Sequence, residues 1–274
     1  MTILRLCLFA IALLCLSAGQ ALAGASPAAP LAIGETWTID SAILGEKRRI
    51  NVYLPAGVAP GTALPLMGMP DGGLHEDFLH VAGLLQVGAG NGTMRPFLLV
   101  GIENTERRRD LTGPTEVAKD RSIAPRVGGS AAFRAFLRKE LLPEVAKRYR
   151  LTDERAIVGE SLAGLFVVET LALEPDLFDS YIAIDPSLWW NDGALAKRLA
   201  ASGAPGAGGK TLLIAASQDG QGFIDHTVLA AGLARTGKVR FSYDSWPDES
   251  HATVYHPAAL KAFRSLLKPA ARAP

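Results

Sequence analysis

The stretch Arg155-Ala-Ile-Val-Gly-Glu-Ser-Leu-Ala-Gly-Leu-Phe166 decides how this chain is interpreted. One apolar run ends at Gly159 and another begins at Leu165, and Ser161 stands between two glycines. Either Ser161 is an ordinary loop residue, or the chain bends there to expose its hydroxyl group as a nucleophile. The second interpretation requires a strand before the serine and a helix after it.

The small residues around Ser161 fit a sharp turn from a strand to a helix. In the G-x-S-x-G nucleophile elbow the serine backbone is strained, and the positions two residues away must be small because strand and helix pack closely. Gly159 meets this requirement. Ala163 occupies the second of these positions, and Gly164 comes one residue later. The sequence therefore differs from the motif by one methyl group, that of Ala163.

Short runs rich in β-branched and aromatic residues recur along the chain, with Gly, Pro or Asp at their ends. Such runs predict β-strands, and several are continuously apolar, as expected for strands buried on both faces of a parallel sheet. The predicted strands are 36–43, 49–54, 64–69, 97–102, 156–158, 181–184, 211–216 and 239–246.

Helical periodicity fills the spaces between the later strands. One helix is predicted after the N-cap Ser130, and others cover about 162–173, 194–200, 224–235 and 258–267. This alternation predicts a doubly wound α/β fold, with a mostly parallel central sheet flanked by helices on both faces. Two stretches, 71–95 and 103–129, lack a regular pattern and are predicted to be loops that form the walls of a substrate cleft.

The N-terminus has the composition of an export signal. Arg5 precedes an apolar run from 6 to 16, and Ala21-Leu-Ala23 resembles a cleavage site. Eleven apolar residues are fewer than the roughly 20 that span a bilayer, which favours a cleaved signal peptide (1–23) over a membrane anchor. We therefore expect a periplasmic or secreted protein with a tether (24–34) and a single domain (35–274), without stable membrane insertion.

Cysteine content and net charge further limit the class of protein and its possible partners. Cys7 and Cys15 both lie in the predicted signal peptide, so the mature protein would contain no disulfide and must be stabilised by its core. The chain has 28 Lys and Arg against 27 Asp and Glu, and removal of Arg5 makes the two counts equal. This balance gives no electrostatic reason to expect a nucleic-acid partner.

A serine nucleophile needs a base, and the base needs an orienting carboxylate. When an elbow serine stands on such a sheet, the acid follows it in the chain and the histidine comes last. Of the five histidines, only His251 lies between the last predicted strand and the final helix. The acid should follow the strand 211–216, where Asp219 is the first choice and Asp225 the second, although such a carboxylate can also be a helix N-cap.

Backbone N–H groups must also stabilise the oxyanion that forms during acyl transfer. One is expected from Leu162, the residue after the nucleophile. The other is expected from the loop Met69-Pro-Asp-Gly-Gly73, in which Gly73 is preferred over Gly72. Taken alone, this loop would be interpreted as a plain Pro-Asp-Gly turn.

Several segments together resemble the putative esterase family of α/β hydrolases, which includes siderophore esterases, feruloyl esterases and mycolyltransferases. In chain order they are Ile50-Asn-Val-Tyr-Leu-Pro55, the Pro-Asp-Gly-Gly loop, Arg107-Arg-Arg-Asp-Leu-Thr112, 136–150, the GESLAG motif, Phe178-Asp-Ser-Tyr-Ile-Ala-Ile-Asp-Pro-Ser-Leu-Trp-Trp190 and Glu249-Ser-His-Ala-Thr-Val254. The resemblance extends from about residue 35 to 268. It implies an α/β-hydrolase fold with Ser161 as nucleophile, His251 as base, an acid at Asp219, and oxyanion donors near Gly73 and Leu162.

Three positions depart from the pattern of that family. Glu160 stands where His is common, Ala163 where Gly is usual, and Asp185 where Ser is common before Pro-Ser-Leu-Trp-Trp. A carboxylate beside the nucleophile would raise the pKa of the catalytic histidine if it points inward. Trp189 and Trp190 are interpreted either as core and rim aromatics or as a cleft wall that binds an acyl or aryl group.

Two other patterns do not fit their usual structural setting. The stretch 204–211 resembles a phosphate-binding loop, but it follows a helix and opens a strand, whereas a true phosphate loop does the reverse. His75 and His80 are five residues apart, not the four that place two zinc ligands on one helix face. The sequence therefore implies no cofactor and no metal.

The sequence thus predicts a serine hydrolase that cleaves a carboxylic ester of a small molecule through an acyl-enzyme. Siderophore, hydroxycinnamate and short-chain esters all agree with the resemblance. Acyl transfer, in which an alcohol replaces water, would use the same residues. A third possibility is a binding protein that keeps the fold without the chemistry.

Overall fold

The computed structural model of the protein describes residues 27–220, 226–235 and 238–269. The predicted signal peptide and the alternative acid Asp225 lie outside the described residues. The described residues from 33 onward belong to one compact unit. Among the residues that the structure describes, every helix is too short or too polar to cross a bilayer.

The centre of the fold is one sheet of eight strands in the order β1-β2-β4-β3-β5-β6-β7-β8. β1 pairs antiparallel with β2 and β2 with β4, and all other neighbours are parallel. Each strand overlaps a predicted one. The strands are β1 Glu35–Ser41, β2 Glu46–Tyr53, β3 Leu64–Pro70, β4 Leu98–Ile102, β5 Leu151–Glu160, β6 Ser180–Ile184, β7 Thr211–Ser217 and β8 Arg240–Trp246.

Helices cover both faces of this sheet, as predicted. They are α1 Phe78–Gly90, α2 Arg107–Asp110, α3 Ala118–Arg121, α4 Ser130–Phe136, α5 Leu142–Arg148, α6 Leu162–Leu173, α7 Trp190–Ser202, α8 His226–Arg235 and α9 Tyr255–Leu266. A π-helical turn, Leu137–Leu141, joins α4 to α5, just before Pro143, which has no N–H to donate. In α7, Asn191, Asp192 and Gly193 have left-handed backbone angles and kink the helix.

The prediction of an irregular loop over 71–95 is wrong, because the 13-residue helix α1 lies within it. Gly83, Gly88 and Gly90 lower the helix propensity of this segment. Tertiary packing compensates for that loss. Gly88 lies so close to Met94 that an added methyl group would stand 2.3 Å from the sulfur atom.

Side chains of the central strands alternate between two cores, one on each face of the sheet. Leu66 and Ile157 belong to the core shared with α4 and α6, whereas Met67 and Val158 belong to the core shared with α1 and α9. Burial on both faces explains why β3 and the centre of β7, residues 212–216, are continuously apolar. Because parallel strands end at one edge of the sheet, the segments that follow β3, β5, β6, β7 and β8 meet there.

Candidate active site

Ser161 occupies the turn between β5 and α6 with φ 58° and ψ −119°. A positive φ is uncommon for a residue with a side chain and marks local strain. A methyl group added to Gly159 would lie 2.6 Å from the main-chain carbon of Ala163, so position 159 has no room for a side chain. The strand, the sharp turn and the helix expected around Ser161 are all present, and Ala163 is accommodated because it faces a glycine.

The Ser161 hydroxyl group has two polar neighbours. Its Oγ lies 3.2 Å from Nε2 of His251 and 3.3 Å from Oγ of Ser187. The main chain is fixed as well, since the Ser161 N–H donates to the Ile184 carbonyl at 3.0 Å and the Ser187 N–H donates to the Ser161 carbonyl at 3.0 Å. The end of β6 therefore holds the turn in place.

The imidazole of His251 is held on its other side by Asp185, the residue that follows β6. Asp185 Oδ2 lies 2.6 Å from His251 Nδ1, and the aspartate is 3% exposed. Ser217 donates its N–H to Oδ1 at 2.9 Å and its hydroxyl group to Oδ2 at 2.8 Å. With Nδ1 donating to this carboxylate, Nε2 remains the acceptor that faces the serine hydroxyl group.

Asp219, the carboxylate expected to orient the imidazole, takes a different place. Its Oδ2 accepts the main-chain N–H of His251 at 2.9 Å. The imidazole ring of His251 contacts Asp185 instead. β6 and β7 are neighbours and end at the same edge of the sheet, so either following loop can bring a carboxylate to a histidine after β8. The available signal was Asp185 itself, a charged residue directly after the apolar strand β6.

The contact between His251 and Asp185 changes the pKa of both groups. The hydrogen bond to Asp185 raises the pKa of His251 above its usual value, although partial burial opposes that change. Burial alone would raise the pKa of Asp185, but the hydrogen bonds from His251 and Ser217 together hold it below its usual value. The pair thus favours a charged imidazolium next to a carboxylate, the state that forms when the histidine accepts a proton.

Two further carboxyl groups, those of Glu160 beside Ser161 and of Asp77, have raised pKa values, in contrast to Asp185. The pKa of Glu160 is raised to about 7, chiefly by burial, with smaller contributions from the carboxylates of Asp77, Asp185 and Asp71 and an opposing one from His251. Burial also raises the pKa of Asp77 to about 6. The expectation that Glu160 raises the pKa of His251 agrees in direction with its electrostatic effect on that residue.

The expected oxyanion donors, Gly73 and Leu162, follow the neighbouring strands β3 and β5. Leu162 is the first residue of α6, and the N–H of a first helical residue has no partner within its own helix. Gly73 lies in the loop after β3, and β3 pairs with β5, the strand that ends just before Ser161. The N–H of Gly72 already donates to the Ile102 carbonyl at 3.0 Å, and that of Gly73 donates to Glu76 Oε2 at 2.6 Å.

The two tryptophans have different environments. Trp189 is 38% exposed and lines a cavity of about 300 Å³ together with Ser161, Ser187, Asp219, Gly220 and His251. Trp190 is 4% exposed, and its indole N–H donates to the Gly113 carbonyl at 2.9 Å. Trp189 is therefore available to a bound molecule, whereas the prediction of Trp190 as a cleft residue is corrected: it belongs to the core.

The two patterns that did not fit their usual setting have other roles in the fold. The stretch 204–210 leads from α7 into β7, so it has no helix at its end to bind a phosphate. His80 lies on α1 against Tyr255 and His256 of α9, with ring centroids 4.8 and 5.0 Å apart. Among the described residues, no group of three His, Cys, Asp or Glu side chains is arranged to hold a metal ion.

A strained serine at a strand-to-helix turn, a histidine after the last strand and a carboxylate after a neighbouring strand define the α/β-hydrolase class. The chain belongs to the family described as "Putative esterase", whose model matches residues 41–258. The fold agrees with a solved IroE-like serine hydrolase from Shewanella oneidensis at 27% identity and a TM-score of 0.74, over 85% of this chain and 80% of that one. Siderophore hydrolase EstB from Aspergillus nidulans shares the fold, with a TM-score of 0.74 at 21% identity over 89% and 98% of the two chains.

Curated relatives match shorter segments. Ferri-bacillibactin esterase BesA of Bacillus subtilis is 37% identical over 118 residues, which is 41% of this chain and 39% of that protein. Siderophore triacetylfusarinine C esterase of Aspergillus fumigatus is 38% identical over 90 residues, 31% of this chain and 29% of that protein. The matched segments thus span well under half the length of these relatives.

Proposed function

We propose that this protein is a serine esterase that hydrolyses a carboxylic ester of a small molecule through an acyl-enzyme. The observation that carries the proposal is the hydrogen-bonded series from Ser161 Oγ through the two nitrogens of His251 to Asp185 Oδ2, with distances of 3.2 and 2.6 Å. Membership of an esterase family supports the same chemistry.

In the first half-reaction Ser161 Oγ attacks the ester carbonyl carbon while His251 Nε2 accepts the hydroxyl proton. The carbonyl oxygen becomes an oxyanion, and the N–H groups of Leu162 and Gly73 are the proposed donors to it. When the tetrahedral intermediate collapses, the C–O bond to the alcohol breaks and His251 returns the proton to the leaving oxygen. Water then repeats these steps on the acyl-enzyme and releases the carboxylic acid.

Asp185 is proposed as the third member of the triad in place of Asp219. Its buried carboxylate fixes the imidazole tautomer and stabilises the imidazolium in each half-reaction. Asp219 instead holds the main chain of His251. The strain stored at Ser161 is consistent with this assignment, since residues with strained backbone angles concentrate at catalytic sites.

The relatives suggest where to look for a natural substrate. Several are named as esterases of siderophores, and we propose siderophore-type esters as the first natural class to test. The cavity beside Trp189, at about 300 Å³, is at the lower end of the range for small-molecule sites, so it has room for the acyl part of such an ester.

Export completes the proposed function. Residues 1–23 carry the features of a cleaved signal peptide, which would deliver the enzyme to the periplasm or the medium. N-terminal sequencing of the protein recovered from those fractions tests this part. A mature N-terminus at Gly24 is expected, and recovery of the uncleaved chain from the cytoplasm alone would contradict it.

Hydrolysis of chromogenic esters of increasing acyl length tests the activity. We expect turnover of at least one short ester, with Ser161→Ala reduced by about 10³-fold or more. Ser122→Ala, which changes an exposed serine after α3, should hydrolyse the same esters at the rate of the unaltered protein. Equal hydrolysis by Ser161→Ala would overturn the proposal.

A further inference from the structure

The Gly73 N–H, one of the two proposed oxyanion donors, is already occupied by a carboxylate of the same chain. It donates to Glu76 Oε2 at 2.6 Å, and in return the Glu76 N–H donates to the Gly73 carbonyl at 3.0 Å. The two bonds close the four-residue turn 73–76 that precedes α1, and the contact from the Glu76 side chain to the Gly73 N–H is the one that a glutamate makes in a capping box. The Glu76 carboxylate therefore occupies the same Gly73 N–H group to which the oxyanion of the proposed reaction would bind.

The opposite side of Glu76 is anchored, so its position is defined. Glu76 Oε1 accepts Asn104 Nδ2 at 2.9 Å, and the same Asn104 nitrogen lies 2.5 Å from Asp71 Oδ1. Arg107 binds both oxygens of Asp71 at 2.7 Å. Glu76 is thus one end of a polar network that connects the loop after β3 with the loop after β4.

We infer that Glu76 is a positioning residue that controls the second oxyanion donor and lowers the rate of the ester hydrolysis proposed above, on which this inference rests. In the free enzyme its carboxylate holds the Gly73 N–H, and the oxyanion must displace it or share the donor. A hydrogen bond to an ionised acceptor is stronger than one to a neutral acceptor, so displacement costs part of the stabilisation. The negative charge beside the developing oxyanion adds repulsion.

Glu76→Gln separates this effect from the structural role of the turn. The glutamine oxygen can still accept the Gly73 N–H and close the turn 73–76, but as a neutral acceptor it competes less strongly for that N–H. Its NH₂ group replaces the oxygen that accepts from Asn104, so that contact is lost. We expect kcat/KM for a chromogenic ester to rise about five-fold, the difference between a charged and a neutral acceptor. An aryl boronic acid, whose adduct with a serine carries an anionic oxygen, should bind more tightly by a similar factor.

Glu103→Gln is the matched control. Glu103 lies beside the same glycine, since a methyl group added to Gly73 would stand 3.0 Å from Glu103 Cγ. Its carboxylate faces Arg49 at 3.9 Å, whereas the Gly73 N–H donates to Glu76. This substitution removes an equal charge near the site without releasing the amide, and kcat/KM should change less than two-fold.

The decisive result is a joint change in two measurements for one variant. A rise in kcat/KM together with tighter boronic acid binding in Glu76→Gln, but not in Glu103→Gln, supports the inference. It is overturned if Glu76→Gln leaves both values unchanged or lowers them, or if Glu103→Gln gives the same gain. If hydrolysis instead persists in Ser161→Ala, the proposed function itself fails, whatever the Glu76 variant does.

Discussion

Asp185 Oδ2 lies 2.6 Å from His251 Nδ1, whereas Asp219 reaches only the main-chain N–H of the same histidine. One carboxylate thus orients the imidazole ring and the other holds the loop that carries it. Asp185 is itself fixed by two hydrogen bonds from Ser217, so the orientation of the ring depends on the ends of both β6 and β7.

Asp185→Asn should lower kcat by about 10³- to 10⁴-fold. An asparagine can present its NH₂ group to Nδ1 and stabilise the wrong imidazole tautomer, an effect of this size in serine proteases with a Ser-His-Asp triad. Asp219→Asn keeps an oxygen acceptor for the His251 N–H, and its effect should stay within about ten-fold. Steady-state hydrolysis of a chromogenic ester by both variants measures the difference, and a larger loss in Asp219→Asn would reverse the assignment.

The pH dependence of kcat/KM should show the effect of Asp185 on the pKa of His251. His251 must be neutral to accept a proton, and the hydrogen bond to Asp185 raises its pKa, so the acidic limb of kcat/KM should have a midpoint above 6.5. NMR titration of the His251 ring should give the same midpoint, and the value should fall in Asp185→Asn. An identical histidine titration in both proteins would contradict the proposed pairing.

Glu160 should make stability depend on pH in the acidic to neutral range. Its pKa is raised from 4.5 to about 7 in the folded protein, so the unfolded chain loses this proton first and stability falls between those values. The free energy of unfolding of Glu160→Gln should therefore equal that of the unaltered protein below pH 4.5. Above pH 7 it should be larger by about 1–3 kcal/mol. Urea unfolding at several pH values measures this, with Glu116→Gln, 93% exposed at its side chain, as a control. A gain in Glu160→Gln that is the same at every pH would show that its charge is not responsible.

Gly159→Ala should destabilise the fold by about 1–3 kcal/mol and impair labelling of the serine, because the new methyl group has no room against Ala163. Gly83→Ala is the matched control, since that glycine lies in α1 and a methyl group there meets nothing within 4 Å. Removing a helical glycine should stabilise the protein by about 0.5–1 kcal/mol. Thermal unfolding of both variants tests the pair, and equal effects would show that the elbow is not crowded.

The sequence was most informative where one physical requirement dominates a segment. Strands buried on both faces need continuous apolar runs, and all eight strands overlap the predicted ranges. β5 begins five residues before its predicted start because its first half is partly exposed and polar. The doubly wound fold and the turn at Ser161 followed from local patterns of this kind.

The sequence was less informative where two different segments of the chain could each supply the side chain that makes a given contact. The loops after β6 and β7 both bring a carboxylate to His251, and it is Asp185, with φ 43°, that contacts the ring, whereas Asp219 contacts the main chain. The adjacent residues Trp189 and Trp190 face the cavity and the core respectively. Periodicity along the chain does not encode such a choice, since it depends on contacts between distant segments.

Covalent labelling by a fluorophosphonate tests the central claim most directly, because the reagent reacts with a serine only when a base and an oxyanion site activate it. We expect one label per chain, located at Ser161 by mass spectrometry of the peptide that contains it. The label should be absent from Ser161→Ala and strongly reduced in Asp185→Asn. Labelling that persists in Ser161→Ala, or an unaltered protein that takes no label, would contradict the account.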